Sequence, residues 1–260
     1  CVNPFVRKEV RQLNLDEFNA LINAYRRFKE NSGPQSLDGF THMHIENAWH
    51  VHGTPLFLAW HRRYIRAFEE ALRIYDPSVS LPYWDWGVDA AAPDMSIVFS
   101  DGYFGGNGRA GDGCIVNGPF SGWMMNIPYY HCLQRQFNLG DKISPFWPTE
   151  AIIHMQQTVA SQSELSRTIE GGCHGAVHLG IGGEMASMNA PNDIFFFMHH
   201  ATIDKIWAEW QAMDLTNRLY MYDGIDNTGR PVSVYDPLPG FTERVVDVMD
   251  LRSPLNCYYY

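Results

Sequence analysis

No stretch of these 260 residues approaches the roughly 18 consecutive apolar residues needed to cross a bilayer, because charges and prolines interrupt every apolar run. No membrane partner is expected. Positive charge is scarce: 19 Lys and Arg stand against 29 Asp and Glu, for a net charge of -10 without a long like-charge block. That balance argues against binding to nucleic acid or an anionic lipid surface. There is no Asn-x-Ser/Thr acceptor, no internal repeat and no low-complexity tract. Cysteines number five, so at least one has no partner within the chain. Cys1 and Cys257 lie at opposite ends; a disulfide between them would staple the termini, but the sequence leaves the pairing open. Position 1 is not Met and no signal segment is visible, so the chain reads as a processed, secreted, extracellular form. The length suits one domain spanning 1–260.

What is present is helical periodicity and histidine. Residues 14–30 repeat Leu15, Phe18, Leu21, Ile22, Tyr25 and Phe28 along one face, with Asn14 and Glu17 in capping-box positions. Further helices are expected over 42–52, 60–75, 148–158, 163–178 and 193–212, the last capped by Asp193. The aromatic segment 80–87 reads as a buried turn. Residues 87–130 form a long Gly, Pro and Asn-rich excursion of a kind often functional or pinned by a disulfide. One or two short strands are expected in the last fifty residues. The fold class is mainly α, a four-helix bundle core with long loops.

Five of the chain's eleven histidines crowd into 42–61. His174 and His178 are four apart, which on a helix places their side chains on one face roughly 6 Å apart. His199 and His200 follow, with Asp204 one turn beyond His200. The carboxylate suits a role behind a ligand, holding a ring N–H or locking a nearby arginine. From the first window, three histidines make one set: His44, His52 and His61 are candidates by spacing, and His42 and His50 also by count. His174, His178 and His200 make a second. Imidazole-only sites suit Cu, Zn, Ni or Fe. Di-iron bundles want Glu ligands in repeats that this chain lacks, and a single zinc site leaves one set unexplained. Two copper ions, each on three neutral histidines, fit the count.

The stretches HGTPLFLAWHRRYIRAFEEALR, LPYWDW, GCHGAVHLGIGGEM and APNDIFFFMHHATIDKIWAEWQ, with GNGRAGDGCIVNGPF and CLQRQFN, together resemble the tyrosinase and catechol oxidase family of type 3 dicopper proteins, especially short fungal secreted members. The resemblance spans about 40–211. It implies a first copper on His44, His52 and His61 and a second on His174, His178 and His200, with O2 as co-substrate. It places Phe57 and Phe196 against the metal pair, His199 beside the ligand and hydrogen-bonded nearby, and Asp204 and Arg62 behind the ligands. The mouth is expected to include Gly175, Met188 and Asn189, with Asn189 free to bind a polar substituent. The implied activity is a polyphenol oxidase that converts o-diphenols to o-quinones, with or without hydroxylation of monophenols. The alternatives are an o-aminophenol oxidase of the same fold and a non-catalytic dicopper oxygen-binding protein. Small phenols are the expected partners.

Three positions depart from the family pattern. His50 stands where many members carry a cysteine joined to the second ligand by a thioether. Gly175 stands where many hydroxylating members carry an Asn that, with a nearby carboxylate, orients a water. This lowers the expectation of strong monophenol hydroxylation. Ile194 replaces a common helix-starting Pro, with a modest effect expected. The C-terminal shielding domain of many members is not in this sequence, so an accessible site is expected.

Overall fold

A computed structural model describes all 260 residues. In chain order the elements are β1 (Phe5–Val6), α1 (Leu15–Glu30), α2 (Leu37–Val51), α3 (Leu56–Tyr75), β2 (Met124–Met125), β3 (His131–Cys132), α4 (Thr149–Thr158), α5 (Gln162–Ile169), α6 (Gly175–Ile181), α7 (Ile194–Ala212), α8 (Leu215–Arg218), α9 (Val245–Val248) and β4 (Tyr258–Tyr259). The mainly α architecture follows the sequence pattern, and α2, α3, α6 and α7, with the residues that flank α2 and α6, carry the histidines into the bundle core.

The capping box of α1 is formed. Asn14 Oδ1 accepts from the Glu17 N–H at 2.9 Å, and the Glu17 carboxylate accepts from the Asn14 N–H at 3.0 Å. Leu21, Ile22, Tyr25 and Phe28 are buried, whereas Leu15 is exposed. Helix α2 starts earlier than its apolar periodicity suggests, because Ser36 accepts from the Gly39 N–H and nucleates a turn through Asp38 and Gly39. His52 is not helical; it is the extended residue that ends α2. Helix α3 also starts early, at Leu56, after Pro55.

The helix expected over 163–178 forms, as one continuous helical run from Gln162 to Ile181, but not with uniform register. After α5, residues Glu170–His174 form a π-type turn, and α6 begins at Gly175. His174 and His178 therefore straddle a register change, of the kind often found at functional sites. Between α3 and α7 the aromatic layer is dense. The Phe68 and Phe197 rings stack with centroids 3.5 Å apart, and Trp84 and Trp86 of the expected buried turn are fully enclosed.

The excursion after residue 87 holds only short 3-10 turns and the β2–β3 hairpin, pinned by a Cys114–Cys132 disulfide. Cys1 and Cys257 are bonded, and Cys173 is the free, buried thiol. The single C-terminal strand, β4, pairs in parallel with β1, which periodicity did not reveal because it is two residues long. This pairing lays Arg7, Tyr258 and Tyr260 against Asp204 of α7. Both tyrosine hydroxyls donate to Asp204 Oδ2, at 2.5 and 2.6 Å, and Arg7 also pairs with Glu69 of α3 at 2.9 Å. No helix is long and apolar enough to cross a membrane.

Candidate metal centre

Helices α2 and α3 bring His44, His52 and His61 together so that one ring nitrogen of each lies within 4.8 Å of the others. Their other nitrogens are spoken for. His44 Nδ1 donates to the Met188 carbonyl at 2.8 Å, His61 Nδ1 to the Phe57 carbonyl at 2.9 Å, and His52 Nδ1 to the Glu170 carboxylate at 2.9 Å. These acceptors fix the tautomer, leaving each Nε2 as a lone pair. The Nε2 atoms of His44 and His52 face each other across 3.2 Å. Two lone pairs aimed at one point repel unless a cation lies between them.

The second set is built alike. His174 Nδ1 donates to the Glu170 carbonyl at 3.1 Å and His178 Nδ1 to the Met185 carbonyl at 2.6 Å. The Nε2 atoms of His61, His174 and His178 are buried without a hydrogen-bond partner, as are both ring nitrogens of His199 and of His200. Buried polar atoms are rarely left so. Burial holds His44 down to about 3, with help from neighbouring His52, and His178 down to about 4; His61, His174, His199 and His200 also lie well below the usual imidazole value, mainly through burial. Neutral imidazoles are the form that binds metal. The donor set therefore fits two copper ions.

Sequence reasoning expected His200 in the second set. The donors of His174, His178 and His199 lie within 4.8 Å of one another, and His200 falls outside that group. His200 instead stacks on His61, centroids 4.1 Å apart, and against Phe196 at 4.2 Å, between the two sets. The His199 ring, expected to hydrogen-bond nearby, has no hydrogen-bond partner at either nitrogen and lies beside His174 and Trp86.

Phe57 and Phe196 each touch both halves. Phe57 lies 4.7 Å from His61 and 4.8 Å from His174; Phe196 lies 5.0 Å from His44 and contacts His200. Asp204 holds no ring N–H. It binds Arg62 at 2.5 Å, and Arg62 spans to the Gln211 side chain and the Met249 carbonyl. Burial alone raises the Asp204 carboxyl, but Arg62 and Arg7, with the Tyr258 and Tyr260 hydroxyls, bring it below its ordinary value.

A cavity of about 300 Å³ opens beside His44, His52, His174 and His178, with Gly175 and half-exposed Met188 on its wall. Asn189 does not line it; its amide turns away to Glu184 and Ser187. His42 is on the surface, paired with Glu46 at 3.1 Å, and His50 is exposed. Asp193 caps α7 by accepting from the Phe195 N–H at 3.1 Å and is locked to Arg135, which offsets the missing Pro at position 194.

Two features escaped sequence reasoning. Glu170 is one; its only sequence signal is its place four residues before His174. The other is the 182–189 loop, whose Met185 and Met188 carbonyls orient one histidine of each set. Gly182 and Gly183 have positive φ, and a Cβ on Gly182 would meet the Gln136 carbonyl at 1.9 Å, so the loop seats tightly on residues 134–136. Glu184 anchors the loop from within, accepting from His131 Nε2 at 2.6 Å and from the Asn192 amide at 3.0 Å.

A family model described as the common central domain of tyrosinase matches residues 34–213. A tyrosinase of Streptomyces glaucescens is 33% identical, over 96% of this chain and 92% of its own length. A tyrosinase-like protein of Diaporthe leptostromiformis is 29% identical, over 100% of this chain and 78% of its own. Both genera appear among the relatives, so the similarity does not sort the chain into a fungal group. Among solved structures, a polyphenol oxidase of Thermothelomyces thermophila superposes with a TM-score of 0.78 at 21% identity, over 99% of this chain and 88% of that one. An octopus hemocyanin functional unit does so with 0.65 at 18%, over 98% and 68%. At such identity these two share the fold.

Proposed function

The chain belongs to the tyrosinase family of type 3 copper proteins, and on that premise we propose that it oxidises o-diphenols to o-quinones with O2. The observation that carries this reading is the convergence of two imidazole sets on Phe57 and Phe196 beside an open cavity large enough for a phenol ring.

We assign the first ion to His44, His52 and His61 and the second to His174, His178 and His200. His200 is preferred over His199 because it alone of the pair stacks on the first set, at His61, and so joins the two sets. When bound, the copper pair supplies the two-electron redox chemistry with O2. The chain supplies the rest. The Nδ1 acceptors aim five ligand nitrogens before metal arrives, and Phe57 and Phe196 keep water from the space between the sets. A catechol ring enters the cavity past Met188 and stacks beside the rings of His174 and His178. Glu170, the one carboxylate on that wall, stands where the substrate hydroxyl loses its proton. Each catechol gives up two electrons and two protons, so two are consumed per O2 reduced to water. Gly175 has no side chain to hold a water beside Glu170, so monophenols are poor substrates.

The accessible cavity favours an enzyme over an oxygen carrier, although hemocyanins share the fold. Two disulfides fit an extracellular protein. Initial O2 uptake by the copper-loaded protein on catechol, a matched monophenol and o-aminophenol tests the assignment. Catechol is expected to be fastest. A faster aminophenol rate makes the chain an aminophenol oxidase, and no uptake on any of them makes it an oxygen binder.

A further inference from the structure

Behind the mouth lies a second cavity, of about 410 Å³, lined by Gly53, Thr54, Pro55, Ser163, Arg167, Glu170, Gly171, Gly224 and Ile225. Glu170 belongs to the walls of both cavities, so the second begins where the first ends. Its floor is open because Gly53 and Gly171 carry no side chain; a Cβ on either would meet nothing within 4 Å.

The polar groups of this wall are already engaged, with one exception. Glu170 accepts from His52 Nδ1 and from the Gly53 N–H. Ser163 Oγ donates to Asp223 at 2.6 Å, and Thr54 Oγ1 donates to the Val51 carbonyl at 2.9 Å. The chain has fifteen arginines. The guanidinium groups of fourteen make a hydrogen bond or an ion pair to the protein, most of them to a carboxylate or a backbone carbonyl. The exception is Arg167, the sole cation of the second cavity, which makes neither even though Glu170 is only three residues away. On a chain of net charge -10, an unpaired guanidinium beside the substrate mouth is a local attraction for anions.

We propose that Arg167 is a specificity-determining residue that binds the carboxylate of an acidic phenol, so that the substrate class is catechols bearing a short carboxylate side chain. The ring occupies the mouth between Gly175 and the histidines, and the side chain crosses Glu170 to place its carboxylate on the guanidinium fork, a geometry suited to bidentate pairing. This rests on the diphenol-oxidase reading for its chemistry but not for its binding step.

The test compares 3-(3,4-dihydroxyphenyl)propionate with neutral 4-ethylcatechol on the copper-loaded enzyme and its Arg167→Gln variant. The wild type should show a KM about three- to fivefold lower for the acid, as one charge pair at an exposed site supplies. The variant should lose that advantage while keeping kcat for both substrates and KM for 4-ethylcatechol within about twofold. Raising the salt should erode the preference in the wild type alone. Equal KM values in the wild type, or equal changes on both substrates in the variant, would overturn the proposal. Calorimetry with 3-phenylpropionate, which cannot be oxidised, separates the two readings. If neither catechol is turned over, the oxidase reading fails, and 3-phenylpropionate binding that is lost in Arg167→Gln still supports the subsite. Binding that survives the substitution refutes it.

Discussion

The two halves of the centre solve one problem with different materials. In the first half, the histidine nearest solvent, His52, is part-exposed and is oriented by a side chain, the Glu170 carboxylate. In the second half, His174 and His178 are oriented by backbone carbonyls alone, and the remaining position offers two adjacent buried histidines with no partner. The first half is therefore adjustable at its edge, where the substrate mouth and the second cavity meet. The second is fixed by the π-type turn and the seated loop. The halves are tied across the mouth: Glu170 holds His52 by its carboxylate and His174 by its carbonyl, and the loop carbonyls of Met185 and Met188 hold His178 and His44.

The comparison breaks most completely at the unpartnered pair. His200→Ala should leave one copper per chain and abolish O2 uptake on catechol, whereas His199→Ala should keep both ions; metal analysis of the two variants decides, and the opposite pattern transfers the ligand role to His199. Behind the second half, Asp204→Asn uncouples Arg62 and Arg7 inside the core. Breaking a buried pair by removing one partner costs about 3–5 kcal/mol, to be read as a lower denaturant midpoint at unchanged slope. The sign of its pH dependence follows from its lowered value. The Asp204 contribution is complete above roughly pH 4, the ordinary carboxylate range, and is lost as pH falls below it. The acid limb of the stability profile should accordingly flatten in Asp204→Asn.

On the adjustable side, Glu170→Gln should weaken copper retention or activity by about 10–100-fold, the usual effect of removing a ligand's orienting partner. Equilibrium dialysis should show the loss at one ion only, since the amide keeps the backbone carbonyl that holds His174. The smallest effect is at Gly175→Asn. The new Cβ would meet only the Glu170 carbonyl, at 3.3 Å, so the fold should persist with a shift of a few tenths of an ångström. Monophenol uptake should rise several-fold while catechol uptake changes little. An unchanged monophenol rate would locate the limit elsewhere, for instance at Met188.

Much of this arrangement is legible in the sequence because it rests on local periodicity. The capping box of α1, the Asp193 cap of α7 and the i, i+4 histidine pair are all short-range patterns. What escaped is long-range or backbone-borne. The β1–β4 pairing joins residues from opposite termini, so no local pattern announces it. The loop's role resides in carbonyls at Met185 and Met188, which every residue type possesses. The π-type turn at Glu170–His174 looks helical in sequence, so the contact of Glu170 with His52 could not be read from it. Asn189 was expected at the mouth together with Met188, yet its amide donates to buried Glu184 and turns away.

Copper content per chain tests the account most directly. The protein loaded with copper and freed of excess metal should hold two ions, falling to one in His61→Ala and to one in His174→Ala, because each substitution removes a donor from one set of three histidines. A single ion per chain with all six histidines intact, or one zinc in preference to copper, would contradict it.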